Sequence, residues 1–164
     1  MSDNPQIFVR ATIGPVLRQL ALDEYRLQAA EELLLGTALQ ESGLIYRRQL
    51  HNGPALGLFQ MEPATHDDIW VNFLTYHPAI AKVLRGLAPG APAAALLETE
   101  DAYAAAMCRV HYWRMGQIVG QEPLPAAGEL AGMAAYWKRF YNTPAGGGNE
   151  AEFIAAWKAH NPSI

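Results

Sequence analysis

The chain has 164 residues, enough to bury one substantial core and short for two domains. Half of it is hydrophobic (51%), and four Trp and seven Tyr mark a globular rather than a disordered composition. A formal charge of −4 supplies no basic stripe, which argues against a nucleic-acid binder held by phosphate contacts. The single cysteine, Cys108, excludes an internal disulfide and suits a reducing compartment. The opening "MSDNPQIFVRATIG" lacks a basic segment followed by an apolar core, and no apolar run reaches the roughly eighteen residues of a membrane span. The expectation is cytoplasmic synthesis without a signal peptide.

The periodicities predict helices nearly throughout, in one domain over 1–164. A first short helix is expected at "GPVLRQLAL", where Pro15 suits an opening position because its missing N–H is not needed there. A second runs from about Tyr25 to Glu41, with Leu27, Ala30, Leu34, Ala38 and Glu41 stepping by three or four along one face. "SGL" stops it, with Gly43 placed to adopt a left-handed conformation. "HNGPALGLFQM" (51–61) reads as a tight, hairpin-like turn. Helices then open at Pro63 and at "HPAIAKVLRGL", separated by the 88–97 Pro/Ala/Gly connector from a long Ala-rich helix over about Thr99 to Gly116. Another helix spans roughly Gly128 to Tyr141. Asn149, with Glu152 three residues on, caps the last one.

The chemistry centres on Glu41. It continues the apolar stripe of its helix, so its carboxyl meets the edge of the core, and it sits at the negative end of the helix dipole. Both effects disfavour the anion and raise the pKa. A carboxylic acid still protonated near neutral pH is what protonation of a glycosidic oxygen requires.

Glu41-Ser42 followed by "GPALGLFQMEPAT" resembles the soluble lytic transglycosylase and goose-type lysozyme branch of the lysozyme-like superfamily, over Glu41 to Thr65, about a sixth of the chain. Those families show a Glu-Ser pair at a helix end, a "GAxGLMQ"-like turn, then a proline and threonine opening the next helix. The resemblance implies a mainly α, lysozyme-like domain with a small turn or hairpin region around residues 51–61. It implies that Glu41 is the catalytic acid, that Ser42 lies close to the substrate N-acetyl group, and that the Gln60 amide contacts the sugar. Phe59 replaces the more usual methionine, and Gly57 would let the backbone approach the saccharide. Glu62 matches the acidic residue that helps position water in goose-type lysozymes; its other reading is a carboxylate stabilising the N-terminus of the helix at Pro63. Late in the chain, Tyr141-Asn142 before "TPAGGG" looks like the family's cleft-closing element, with Tyr136 the competing match.

The implied activity is cleavage of the MurNAc–GlcNAc β-1,4 bond of peptidoglycan strands, by hydrolysis or by 1,6-anhydro formation, with no metal or organic cofactor. Lysozyme-like motifs without a leader or wall-binding repeats look like phage or prophage cargo, with virion proteins as partners. The alternative is a lysozyme-like domain that has lost activity and serves in a phage particle.

Other clusters read as structural. His66, Asp67 and Asp68 point about 100° apart along a helix and cannot converge on a metal. Cys108 and His111 share a helix face, yet no second pair completes a zinc site. Trp113, Trp137 and Trp157 read as core, and Arg47 and Arg48 as solvated surface cations.

Overall fold

A computed structural model describes residues 4–143 and 145–160. The chain is mainly α-helical, and the described residues contain no strand, only isolated bridges pairing Leu56 with Arg48 and with Met61. The first helical rod starts earlier than Pro15. α1 (Pro5–Phe8) is capped by Asn4, whose side chain accepts from the Gln6 and Ile7 N–H groups. It passes through a wide turn, Val9–Ile13, into α2 (Gly14–Leu20). Pro15 is tolerated inside this rod because the turn before it is π-helical. The Gly14 N–H bonds to the Val9 carbonyl five residues back, which relieves the crowding a proline ring causes in a regular helix.

α3 (Leu27–Ser42) forms the axis of the molecule. The single apolar face predicted for it is a correction in degree: Ala29, Leu33, Leu35, Gly36 and Leu39 are buried as fully as Ala30, Leu34 and Ala38. A helix with a broad apolar surface belongs largely inside the protein, and α3 packs against α2, α7 (Asp101–Ile118), α8 (Leu130–Trp137) and α9 (Glu150–His160). α4 (Pro63–Asn72), α5 (Pro78–Leu87) and the one-turn α6 (Leu96–Thr99) build the flank beyond the 44–61 loop. α8 runs directly into a second π-helical turn, Lys138–Asn142. The Asn149/Glu152 capping box opens α9 with reciprocal 3.0 Å bonds.

Among the described residues the buried polar side chains of this interior are paired, His111 Nδ1 excepted. Asp23 and Arg109 form a buried two-pronged ion pair at 2.7 and 2.8 Å. Thr37 bonds Tyr112 at 2.8 Å, and Glu32 accepts from Gln28 and from the Gly128 N–H. Each therefore avoids the penalty of a buried group without a partner.

α3 and α9 approach closely at Gly36. A Cβ built on Gly36 would stand 2.3 Å from Cζ of the fully buried Phe153. Gly36→Ala gains about 1 kcal/mol of helix propensity and meets an overpacking cost of about 1–3 kcal/mol, so a net loss of stability is expected in urea unfolding. Adding Phe153→Leu should recover part of that loss; a Gly36→Ala protein as stable as wild type would show that the crossing yields freely.

Candidate active site

Gly43 ends α3 in the left-handed region (φ +60°), its N–H closing on the Leu39 carbonyl at 3.0 Å, and Leu44 follows at φ +58°. This reversal leaves Glu41 in the last turn, carried to the edge of the core by a helix that the core surrounds. Its Oε1 accepts a 2.9 Å hydrogen bond from Nε1 of the fully buried Trp137. Its other oxygen has no partner among the described residues and is not sealed from solvent, so it opens on the cleft that Glu41 lines. Burial pushes the carboxyl up to about 7, against the Trp137 hydrogen bond, which favours the anion.

That cleft holds about 1020 Å³. One side is the 44–61 loop, bearing Tyr46, Gln49, Gln60 and Met61; another is α4 and α7, with Thr65, Asp68, His111 and Arg114; the third is the late turn carrying Tyr141, Asn142 and Gly146. The 44–61 loop is stapled from beneath. Arg47 makes a two-pronged pair with Asp101 and donates to the Glu98 carbonyl, while Arg48 pairs with Glu98 at 2.7 Å. Arg48 is exposed, as expected of a surface cation, whereas Arg47 is half-buried and tied down rather than solvated. The predicted turn at 51–61 is closed by reciprocal backbone bonds between Leu56 and Met61, enclosing Gly57–Gln60.

The structure brings together Glu41, Gln60, Glu62, Tyr141 and Asn142 on the cleft. Gln60 takes a left-handed conformation (φ +49°) and its amide donates to the Gly57 carbonyl at 2.8 Å, which fixes its head group. Glu62 is exposed immediately before Pro63, with no hydrogen bond holding its carboxylate. Tyr141 donates to the Phe59 carbonyl at 2.7 Å, tying the late turn to the Gln60 loop across the cleft. Lys138 holds Asn142 Oδ1 at 2.7 Å and the Gly146 carbonyl at 2.9 Å. Pro144, part of the "TPAGGG" match, lies outside the described residues.

Four predicted residues stand elsewhere. Ser42 is buried, and its hydroxyl donates to the Ala38 and Leu58 carbonyls, so it fastens the turn to α3 instead of facing a substrate. Gly57 is buried too: a Cβ there would lie 1.8 Å from the Leu97 carbonyl oxygen, so the glycine serves close packing on α6 rather than on a sugar. Phe59 sits in the core against Phe8 at 6.1 Å. Tyr136 points to a separate cavity lined by Asp23, Arg109 and Glu122, its hydroxyl 3.3 Å from the Glu122 carbonyl.

Trp137, read from sequence only as core, proves to be core and the partner of the acid. The one available signal was that a buried carboxyl needs a donor, and nothing in the sequence says which. Trp113 packs edge-on to Phe73, and Trp157 lies against the core. His66, Asp67 and Asp68 diverge as expected: His66 bonds Asp67 and Tyr103, while Asp68 bonds Asn72 and Arg114. Cys108 is fully buried, and burial raises its thiol well above the ordinary value. Comparison with family models, curated proteins and solved structures gives no match to this chain.

The Glu41 environment has a measurable signature independent of any activity. The folded chain holds the Glu41 proton up to about pH 7, whereas an unperturbed glutamate loses it near 4.5. Between those values the native state binds more protons than the unfolded one, so this group makes stability fall as pH rises. The cost of the buried anion reaches about 3 kcal/mol at most. Glu41→Gln is therefore expected to match wild type near pH 4 and to exceed its melting temperature increasingly up to pH 8; a difference independent of pH would mean the carboxyl titrates as if in water.

Proposed function

We propose that the protein cleaves the β-1,4 bond between N-acetylmuramic acid and N-acetylglucosamine in peptidoglycan, with Glu41 as general acid and then base. The observation that carries this is a single carboxyl, proton-bearing to about pH 7, with one oxygen held by Trp137 and the other free on a cleft large enough for sugar rings. Glu41 donates its proton to the glycosidic oxygen as that bond breaks, and the substrate's own N-acetyl oxygen stabilises the cation at the anomeric carbon. The carboxylate then takes the proton of the C6 hydroxyl, whose oxygen closes on the anomeric carbon to give a 1,6-anhydro end.

The one-carboxyl route is favoured over hydrolysis because Glu62 is exposed and unanchored, a poor holder for an attacking water. Gln60, whose head group is fixed, and Asn142, held by Lys138, supply amides to orient the sugar. Virion proteins as partners, and delivery to the wall in a phage particle, belong to the same proposal.

Zymography on purified peptidoglycan, with mass spectrometry of the products, tests it. Wild type is expected to clear the wall and release anhydro ends, Glu41→Gln to lose about 10²–10⁴-fold in rate, and Glu62→Gln to retain anhydro formation. Clearing that survives Glu41→Gln removes this glutamate as the acid, and a wild type that binds the wall without cleaving it supports a structural role in a particle.

A further inference from the structure

His111 is a polar side chain on the cleft wall that nothing in the mechanism above uses. Its Nδ1 is buried and has no hydrogen-bond partner, the one such side-chain atom among the described residues. Its Nε2 makes no hydrogen bond to the protein either, yet it is not sealed in, so this nitrogen reaches the cleft. Buried polar atoms without partners are uncommon in folded proteins and call for an explanation.

The ring is fixed by its neighbours. It stands edge-on to Tyr141, with centroids 5.4 Å apart, and Tyr141 is itself bonded to the Gln60 loop. Burial, with Arg114 beside it, lowers the imidazole to about 4 against the opposing pull of Asp68, so the ring is neutral. A neutral imidazole carries one N–H and one lone pair. An orphaned buried N–H is rarer than an orphaned acceptor, so we assign the lone pair to Nδ1 and the proton to Nε2. Arg114 has no acceptor to offer, and Asp68 accepts from Asn72 and Arg114 and makes no bond to His111 among the described residues.

Resting on the proposed glycan-cleaving function, we infer that His111 is a substrate-binding residue whose Nε2–H donates to a carbonyl or hydroxyl oxygen of an N-acetylhexosamine lying in the cleft beside Glu41. The position is suitable on three counts. His111 shares the cleft wall with Tyr141, its donor is unspent, and being uncharged it leaves the acid's proton undisturbed. The residue positions the sugar and takes no part in moving the proton.

The test uses soluble, un-cross-linked glycan strands and the variants His111→Phe and His111→Gln. Phe keeps the ring packed on Tyr141 and removes the donor. KM is expected to rise about tenfold, the equivalent of one hydrogen bond, with kcat nearly unchanged, and Gln, which can donate, is expected to restore much of the loss. Should His111→Phe fail to fold, ¹⁵N-histidine NMR on Glu41→Gln gives the same information: adding N-acetylglucosamine tetramer is expected to shift the His111 Nε2 resonance. An unchanged KM in folded His111→Phe, or an Nε2 resonance that stays put while the tetramer binds, overturns the inference. Failure of the underlying reading looks different, because Glu41→Gln then cleaves as well as wild type or wild type does not cleave at all.

Discussion

The hydrogen bond from Trp137 to Glu41 joins the two halves of the molecule's logic. α3 is buried along most of its length, so its C-terminal turn carries the Glu41 carboxyl largely out of bulk water. A carboxyl taken that far inward needs a partner, and a cationic one would favour its ionised form. The indole N–H is a neutral donor that satisfies one oxygen without forcing ionisation. Because Trp137 is fully buried at the end of α8, the bond also fixes α8, and the π-helical turn after it, against the tip of α3. Fold and acid are set by the same contact.

The rest of the cleft is held in place by parts that never face it. Ser42 draws the Leu58 carbonyl to the end of α3, Gly57 lets the same turn press on the Leu97 carbonyl, and Arg47 ties the loop's start to Asp101. Two residues of the Glu-Ser-Gly-Gln pattern, Ser42 and Gly57, thus act on geometry, and the other two, Glu41 and Gln60, reach the cavity. Such a turn is held by the protein's own contacts, which is the preorganisation that the proposed orienting of a sugar requires.

The helices were largely legible in the sequence because punctuation and periodicity agreed. Gly43, Pro63, Pro78 and the Asn149/Glu152 box stand where helices end or begin. The wide turns were not legible, since π-helical turns carry no compositional mark. The first hid the true start of the rod ahead of Pro15. The second decides between the tyrosines. Within Lys138–Asn142 the backbone swings Tyr141 toward the Phe59 carbonyl, whereas Tyr136, still in regular α8, looks into the other cavity beside Asp23 and Arg109. Sequence spacing alone could not separate them. Nor could it find His111, whose interest lies in partners it lacks.

Glu41 keeps its proton because burial disfavours its anion more than the Trp137 hydrogen bond favours it. Arg48 and Arg114 line the same cleft, and Lys138 follows Trp137 directly in the chain. Any of them left unpaired near the carboxyl would stabilise its anion and pull the pKa back toward that of an ordinary glutamate. Arg48 is matched by Glu98, Arg114 by Asp68, and the Lys138 ammonium is turned onto Asn142 and the Gly146 carbonyl. The only influences on Glu41 are accordingly burial and the Trp137 hydrogen bond, and burial is the larger. The neutral His111 fits the same pattern, for a protonated imidazole on that wall would add the very charge the other pairings remove. Polar reach into the cleft and a proton-bearing carboxyl coexist here because the wall arginines, Arg48 and Arg114, are each turned onto a carboxylate of their own.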